Sequence, residues 1–342
     1  MKTRVLVWIA AAFSLMSVRP MFAVDKAEVA ARLHSAEVET SLDTEDLKPW
    51  YLKLDVQLYD EKGTPTESGT IEEWWARPHQ RLVVYSLPSY TSKVLENSDG
   101  VFRSGEAGAA PMVIQALLDQ VVHPMPPEYE INQSQPELRK HNFGKVPLDC
   151  IMLSQSIKTV SVVPLGLFPT YCFDPGKDAL RLSYDFGTQV VIRNRTGIFQ
   201  GHSVPMDVRV NSGQFEAATG RIESLRGMTV DPAQFTKTDD MKKVGNLVRI
   251  GGGVMAGTII SKSQPVYPES ARRNHVSGSV VLRAIIGKDG HVHVLQLKSA
   301  PDPDLAIAAI AAVRQWVYKP YFLNGEATEV DTTITVNFNI GP

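Results

Sequence analysis

The stretch Gly278-Ser-Val-Val-Leu-Arg-Ala-Ile-Ile-Gly-Lys-Asp-Gly-His-Val-His-Val-Leu-Gln-Leu-Lys298 decides the fold of the carboxy-terminal part of this chain. Gly278 to Ile286 is rich in β-branched and apolar residues. It turns through Gly287-Lys288-Asp289-Gly290 into His291 to Lys298, a β-hairpin with a glycine-flanked loop. Upstream, Tyr267-Pro268 begins a short helical segment to Asn274. Downstream, Asp302 is a natural N-cap with Pro303 at the first helical position. Leu305, Ala309, Ala312, Val313 and Trp316 then form one apolar stripe, and Lys319-Pro320 stops that helix. After Asn324-Gly325 the last strand alternates, with Ile334, Val336 and Phe338 facing inward and Thr333, Thr335 and Asn337 outward. The order helix, strand, strand, helix, strand predicts a small α/β domain built on a three-stranded antiparallel sheet, here taken as residues 264–342.

Towards the amino terminus, residues 236–263 read as a linker. They are charged from Lys237 to Lys243 and then carry Gly251-Gly252-Gly253. Gly251, Gly253 and Ala256 fit the spacing of a dinucleotide loop, but such a loop must open a helix, and Pro265 follows too soon. The segment is therefore expected to be flexible backbone. Residues 24–235 form the larger unit. A helix is expected from Lys26, and Trp50 to Leu58 alternates as a half-buried strand. Strand-like segments follow at Gly69–Ala76, Arg81–Leu87, Thr91–Glu96 and Gly100–Arg103, which reads as an antiparallel meander. A helix is expected over Pro111–Val122, where Ile114, Leu117, Leu118 and Val121 recur at helical spacing. Beyond the Pro-rich break at Pro124–Pro127 come strands at Leu148–Leu153, Leu180–Tyr184, Val190–Arg193, Val204–Val210 and Gly220–Leu225. The whole reads as α+β.

The 342 residues carry 35 Lys and Arg against 37 Asp and Glu, with 43% hydrophobic and 21% charged residues. Such a composition is globular, and a chain above about 250 residues usually holds more than one core. Near-neutral charge without a basic cluster excludes a nucleic-acid binder. Lys2 and Arg4 precede an apolar run from Val5 to Val18, followed by Arg19, Pro20 and a small residue at Ala23. This predicts a secretory signal over residues 1–23, because the run is shorter than the roughly 20 residues that span a bilayer. The alternative is an uncleaved anchor in the inner membrane, facing the periplasm. Cleavage removes three bases and no acid, and takes the formal charge from −2 to −5. In an exported chain the two cysteines, Cys150 and Cys172, are expected to close a disulfide. Two buried thiols are the alternative if the export reading fails.

The runs Gln264-Pro-Val-Tyr-Pro-Glu-Ser-Ala271, Gly278-Ser-Val-Val-Leu, Gly287-Lys-Asp-Gly290, Ala312-Val-Arg-Gln-Trp316, Tyr318-Lys-Pro320, Asn324-Gly325 and Thr335-Val-Asn-Phe338 closely resemble the TonB carboxy-terminal domain. The resemblance implies a periplasmic module that grips a TonB-dependent outer-membrane transporter and passes on force from an inner-membrane motor of the ExbB-ExbD type. It implies that a transporter peptide pairs with the last strand over Thr332–Phe338, with Thr332, Thr333, Thr335 and Asn337 along the contact and Gln264 and Pro265 beside it. Adding a strand to a free edge is a general recognition mode. Tyr267, Pro268, Gly278, Trp316 and Pro320 read as structural: a helix start, a close strand approach, a core aromatic and a stop. On the signal-peptide reading, two features of the family are expected to be missing, a spanning anchor and a long Pro-Glu/Pro-Lys stretch that bridges the periplasm.

The larger unit resembles, in the order of its elements and its closing Asp231-Pro232-x-x-Phe235, the half-barrel of the LolA and RseB lipoprotein-handling families. That implies an apolar concave surface able to hold an acyl ligand, and a rival function as a lipid or lipoprotein carrier in which the TonB-like domain only docks. A sheet packed on its own helices without a ligand is the alternative. No cofactor and no enzyme are expected. His291 and His293 share a strand face but lack a third ligand. Ser203 lacks the strand-to-helix elbow of a hydrolase nucleophile. Glu72-Glu73 and Trp74-Trp75, being neighbours in a strand, must point to opposite faces.

Overall fold

The computed structural model describes residues 25–106, 110–155, 163–185, 189–212, 215–244, 248–323 and 326–340. The signal segment 1–23 and the turn at Asn324-Gly325 lie outside the described residues. Helix α1 (Lys26–Thr40) leads into five strands, β1 (Trp50–Tyr59), β2 (Pro65–Arg77), β3 (Gln80–Leu87), β4 (Tyr90–Asn97) and β5 (Gly100–Gly105). Helices α2 (Met112–Val122) and α3 (Glu128–Gln133) follow. Seven more strands come next, β6 (Gln135–Phe143), β7 (Val146–Ser154), β8 (Thr170–Phe173), β9 (Leu180–Asp185), β10 (Gln189–Phe199), β11 (His202–Ser212) and β12 (Phe215–Gly227). These and the two-residue β13 (Lys242–Lys243) make a 13-stranded antiparallel sheet in the order β13-β5-β4-β3-β2-β1-β12-β11-β10-β9-β8-β7-β6.

That order has a simple cause. The first meander runs from β1 out to β5. The chain then crosses through α2 and α3 to the opposite end and meanders back from β6 to β12, where β12 pairs with β1, Trp50 opposite Gly227 and Leu58 opposite Ala218. The crossing helix is thereby laid over one face of the sheet. Ile114, Leu117, Leu118 and Val121 of α2 pack with Trp50, Leu52, Leu54, Ile71, Val83, Val208 and Val210 in one buried cluster. The Trp50 and Trp75 rings stack at 5.7 Å, and their indole N–H groups donate to the Leu42 carbonyl at 3.0 Å and to Asp43 at 2.5 Å. Near the other end, Val29, Leu33 and Ala36 of α1 pack on Ile151 and Leu153 of β7, Phe173 of β8 and Leu180 of β9. Helices α2 and α1 thus cover parts of the large sheet with the protein's own apolar side chains.

Glu72 and Glu73 take opposite faces, as strand geometry requires. Glu72 accepts from the Tyr51 hydroxyl at 2.5 Å on the outer face. Glu73 is fully buried beside Trp75, its carboxylate oxygens without a hydrogen-bond partner and the Arg81 guanidinium 3.7 Å away.

The carboxy-terminal part holds β14 (Val248–Arg249), α4 (Gly252–Ala256), β15 (Ile259–Ser261), α5 (Glu269–Arg273), β16 (Gly278–Ile286), β17 (Val292–Ser299), α6 (Pro303–Val313), β18 (Val317–Tyr318), β19 (Tyr321–Leu323), β20 (Glu326–Thr328) and β21 (Val330–Phe338). Asp302 caps α6 by accepting from the Asp304 amide at 2.8 Å. The expected antiparallel strands β17, β16 and β21 are present, and the sheet gains β14 as a fourth, short parallel member. The described parts of the segment expected to be flexible backbone are instead folded. Lys242 and Lys243 pair with β5, Val248 and Arg249 with β21, and Ile259 and Ser261 with β18. Gly251 does open a helix, one of five residues, because Met255 is drawn into the core at 1% exposure. The two parts also share apolar packing. Met152, Leu167 and Phe168 of the large unit join Leu282, Leu297, Ile310 and Trp316 in one buried cluster.

Cys150 and Cys172 face each other across β7 and β8 and are joined in a disulfide. Thiol titration of denatured, unreduced protein should find no free sulfhydryl, and reduction should cost roughly 3 kcal/mol of stability by loop-entropy arithmetic. Two titratable thiols would contradict the bridge. Burial pushes the Glu73 carboxyl up to about 7, with Arg81 only partly opposing it. The folded state then holds a proton that the unfolded chain releases, so stability falls as pH rises from the ordinary carboxylate range through about 7. Glu73→Gln should reduce that slope, to which Asp119, pushed up to about 6 by burial, also contributes, and stabilise the protein at pH 8 by about 1–3 kcal/mol in urea unfolding. An unchanged slope between pH 5 and pH 8 would contradict this.

Candidate functional site

Strand β21 pairs along its length with β16 but on its other side only with the two-residue β14, so it is the natural place to look for an incomplete ladder. Its inner side chains Ile334, Val336 and Phe338 are buried in the cluster that includes Leu305, Ala309 and Ile310 of α6, and they fix the strand in register on β16. Thr333, Thr335 and Asn337 are exposed on the outer face. The direction of the backbone groups follows from the short parallel pairing on the far side. The Val248 amide donates to the Glu329 carbonyl at 3.2 Å and the Ile250 amide to the Asp331 carbonyl at 3.1 Å. Backbone groups alternate along a strand, so those of Thr333, Thr335 and Asn337 also point away from β16. Thr332 differs from its neighbours. It is 4% exposed, lies on the inner face, and by the same alternation turns its backbone groups towards β16.

The start of the edge is held by charge. Arg283 of β16 grips the Asp331 carboxylate with two nitrogens, each at 3.0 Å, and Arg249 reaches it at 3.4 Å. Burial pushes the Asp331 carboxyl up, but the hydrogen bonds and charge of the two guanidinium groups outweigh it and leave it below the ordinary carboxylate range. Beside the middle of the strand lies a groove of about 460 Å³, lined by Gly252, Met255, Lys262, Trp316, Thr333 and Thr335 among others. The Lys262 ammonium sits 4.9 Å from the centre of the Trp316 ring, and the Trp316 indole donates to the Ser263 carbonyl at 2.8 Å. Gln264 is exposed and Pro265 half-buried immediately after this segment, and neither lines the groove. Lys262 does, and its sequence context, a single lysine in a segment read as linker, offered no signal.

The remaining motif residues hold the scaffold. The Tyr267 hydroxyl donates to the Val276 carbonyl at 2.5 Å, and its ring meets Phe338 edge-on at 5.5 Å. Pro268 is the N-cap of α5, and Pro320 stands between β18 and β19. Gly278 has φ +139 and faces Pro301, where an added Cβ would lie 3.2 Å from the ring. Trp316 is buried. His291 and His293 lie 3.3 and 3.1 Å from Asp289. Among the described residues no group of three or more His, Cys, Asp or Glu could hold a metal ion, and no helix is long and apolar enough to cross a membrane.

No curated protein matches the chain. Among solved structures, it is similar to a LolA superfamily protein from Nitrosomonas europaea, at 10% identity and TM-score 0.40, over 61% of this chain and 97% of that one. It is also similar to a putative outer membrane lipoprotein-sorting protein domain from Vibrio parahaemolyticus, at 8% identity and TM-score 0.40, over 62% and 97%. A DUF1329 family protein from Desulfovibrio piger matches at 9% identity and TM-score 0.33, over 62% and 95%. Residues 263–340, which include β21, match the family model described as Gram-negative bacterial TonB protein C-terminal.

Proposed function

We propose that the carboxy-terminal domain binds an extended peptide of a TonB-dependent outer-membrane transporter by adding it as a strand to β21. The observation that carries this reading is the free ladder. At Thr335 and Asn337 the backbone groups face away from β16, and among the described residues no strand pairs with them. The match to the TonB C-terminal family over the same residues supports the choice of partner. The role is binding, with main-chain hydrogen bonds supplying affinity and the groove beside Thr335 supplying selectivity. A carrier function would need a ligand on the inner face of the half-barrel, where α2 already packs, and the proposal does not require one.

The alternation gives a clean test. Proline at 335 removes an N–H that points to the open edge and leaves the β16 ladder intact, which is the one setting in which a strand tolerates it. Thr335→Pro should keep its thermal unfolding profile and weaken binding of a synthetic transporter plug peptide by tenfold or more in calorimetry. Unchanged affinity in the folded variant would refute edge pairing.

We further propose that residues 1–23 are removed on export and that the product works in the periplasm untethered. The support is the short apolar run closed by Arg19, with the small Ala23 before the cut. Intact mass of natively expressed protein should correspond to an amino terminus at Val24. Retention of Met1 to Ala23 in a membrane fraction would instead favour an anchored transducer coupled to the ExbB-ExbD-type motor.

A further inference from the structure

The edge of β21 is already partly occupied by the chain itself. Along its outer side, the carbonyls of Glu329, Asp331, Thr333, Thr335 and Asn337 face away from β16 in succession, by the alternation of strand geometry. The first accepts from Val248 at 3.2 Å and the second from Ile250 at 3.1 Å. The third is covered by Gly252. A Cβ built there would lie 2.0 Å from the Thr333 carbonyl oxygen, so only glycine lets the backbone approach so closely. Arg249 adds an ion pair to Asp331 at 3.4 Å through a side chain 86% exposed. Beyond Gly252 the chain leaves the edge, with Met255 as its buried anchor. Three consecutive edge positions are thus taken by residues 248–252, and the next two are open.

The geometry points to residues 248–252 as an internal stand-in for the partner strand, one that an incoming peptide displaces as it pairs parallel to β21. This rests on the edge-pairing reading proposed above. The stand-in runs parallel, uses the very carbonyls that an added strand would need, and is held by a two-residue pairing and an ion pair from the exposed Arg249 side chain. A peptide confined to Thr335 and Asn337 gains only the open part of the row. A peptide that continues towards Glu329 gains the full row by evicting Val248, Ile250 and Gly252. The capped form lowers apparent affinity by the fraction of molecules in which the edge is open. Gly251-Gly252-Gly253 supplies the hinge on which the segment lifts away.

The test uses the full-length protein, a synthetic plug peptide of a TonB-dependent transporter, and the double variant Val248→Pro/Ile250→Pro, which removes the two donors of the stand-in and alters no residue of β21. The peptide should bind the double variant tenfold or more tightly than the wild type. In the wild type, its binding should speed hydrogen exchange at the amides of Val248 and Ile250. Gly252→Ala, which pushes the backbone off Thr333, is the second variant if the double proline fails to fold, and should likewise tighten binding. Binding that leaves the Val248 and Ile250 amides protected, with affinity equal in all variants, would overturn the stand-in and leave edge pairing standing. No peptide binding by wild type or uncapped protein would overturn both readings.

Discussion

A strand whose neighbour on one side is shorter than itself leaves backbone hydrogen-bonding groups open beyond that neighbour, and the carboxy-terminal domain is organised around such a row on β21. Leaving a row of amides and carbonyls open invites uncontrolled pairing, which proteins blunt by covering or charging their edges. Both devices are present at the start of this strand, where Val248 and Ile250 cover two carbonyls and Arg249 and Arg283 clamp Asp331. Further along, Thr335 and Asn337 are left open beside a groove floored by Trp316. An edge protected at one end and open at the other is suited to receiving a strand in a single register.

The half-barrel bears on how that edge is presented. The opposite end of the small sheet is β17, and there Gln296 donates to Glu130 of α3 at 3.0 Å. Met152, Leu167 and Phe168 enter the core of the small domain, so the two parts are joined by apolar packing as well as by the connecting segment. The pairing of β13 with β5 fixes the path of that segment from the large sheet, and β14 and β15 fix its arrival at the small one. In the large sheet, β12 pairs with β1 and so joins the two meanders, and α2 packs over them on one face as a buried core.

Much of this was legible in the residues. The β16 and β17 hairpin, the Asp302 cap, the apolar stripe of α6 and the alternation of Ile334, Val336 and Phe338 each carry a period or a cap that physics ties to one structure. The alternation of Glu72 to Trp75 could be read in the same way, as could the meander from β1 to β5. What escaped had no such signal. Two-residue strands such as β13 and β14 are too short to show a period, and Gly251 to Gly253 reads as loose backbone although Gly252 is fixed by its contact with Thr333. Strand β6, with Glu137, Arg139, Lys140 and His141, lies at the end of the sheet and lacks the apolar alternation of a half-buried strand. The site followed the same rule. The residues of the last strand could be named, but which of them turn their backbone outward depends on the pairing register, and Thr332 faces the other way.

The central claim is that a partner completes the ladder at the open half of β21. Its most direct measurement is residue-resolved hydrogen exchange of the Thr335 and Asn337 amides with and without a bound transporter plug peptide. Strand addition predicts that both amides exchange readily in the free protein and become protected on binding, while amides facing β16, such as those of Ile334 and Val336, change little. Saturating peptide that leaves Thr335 and Asn337 exchanging as fast as before would contradict the account.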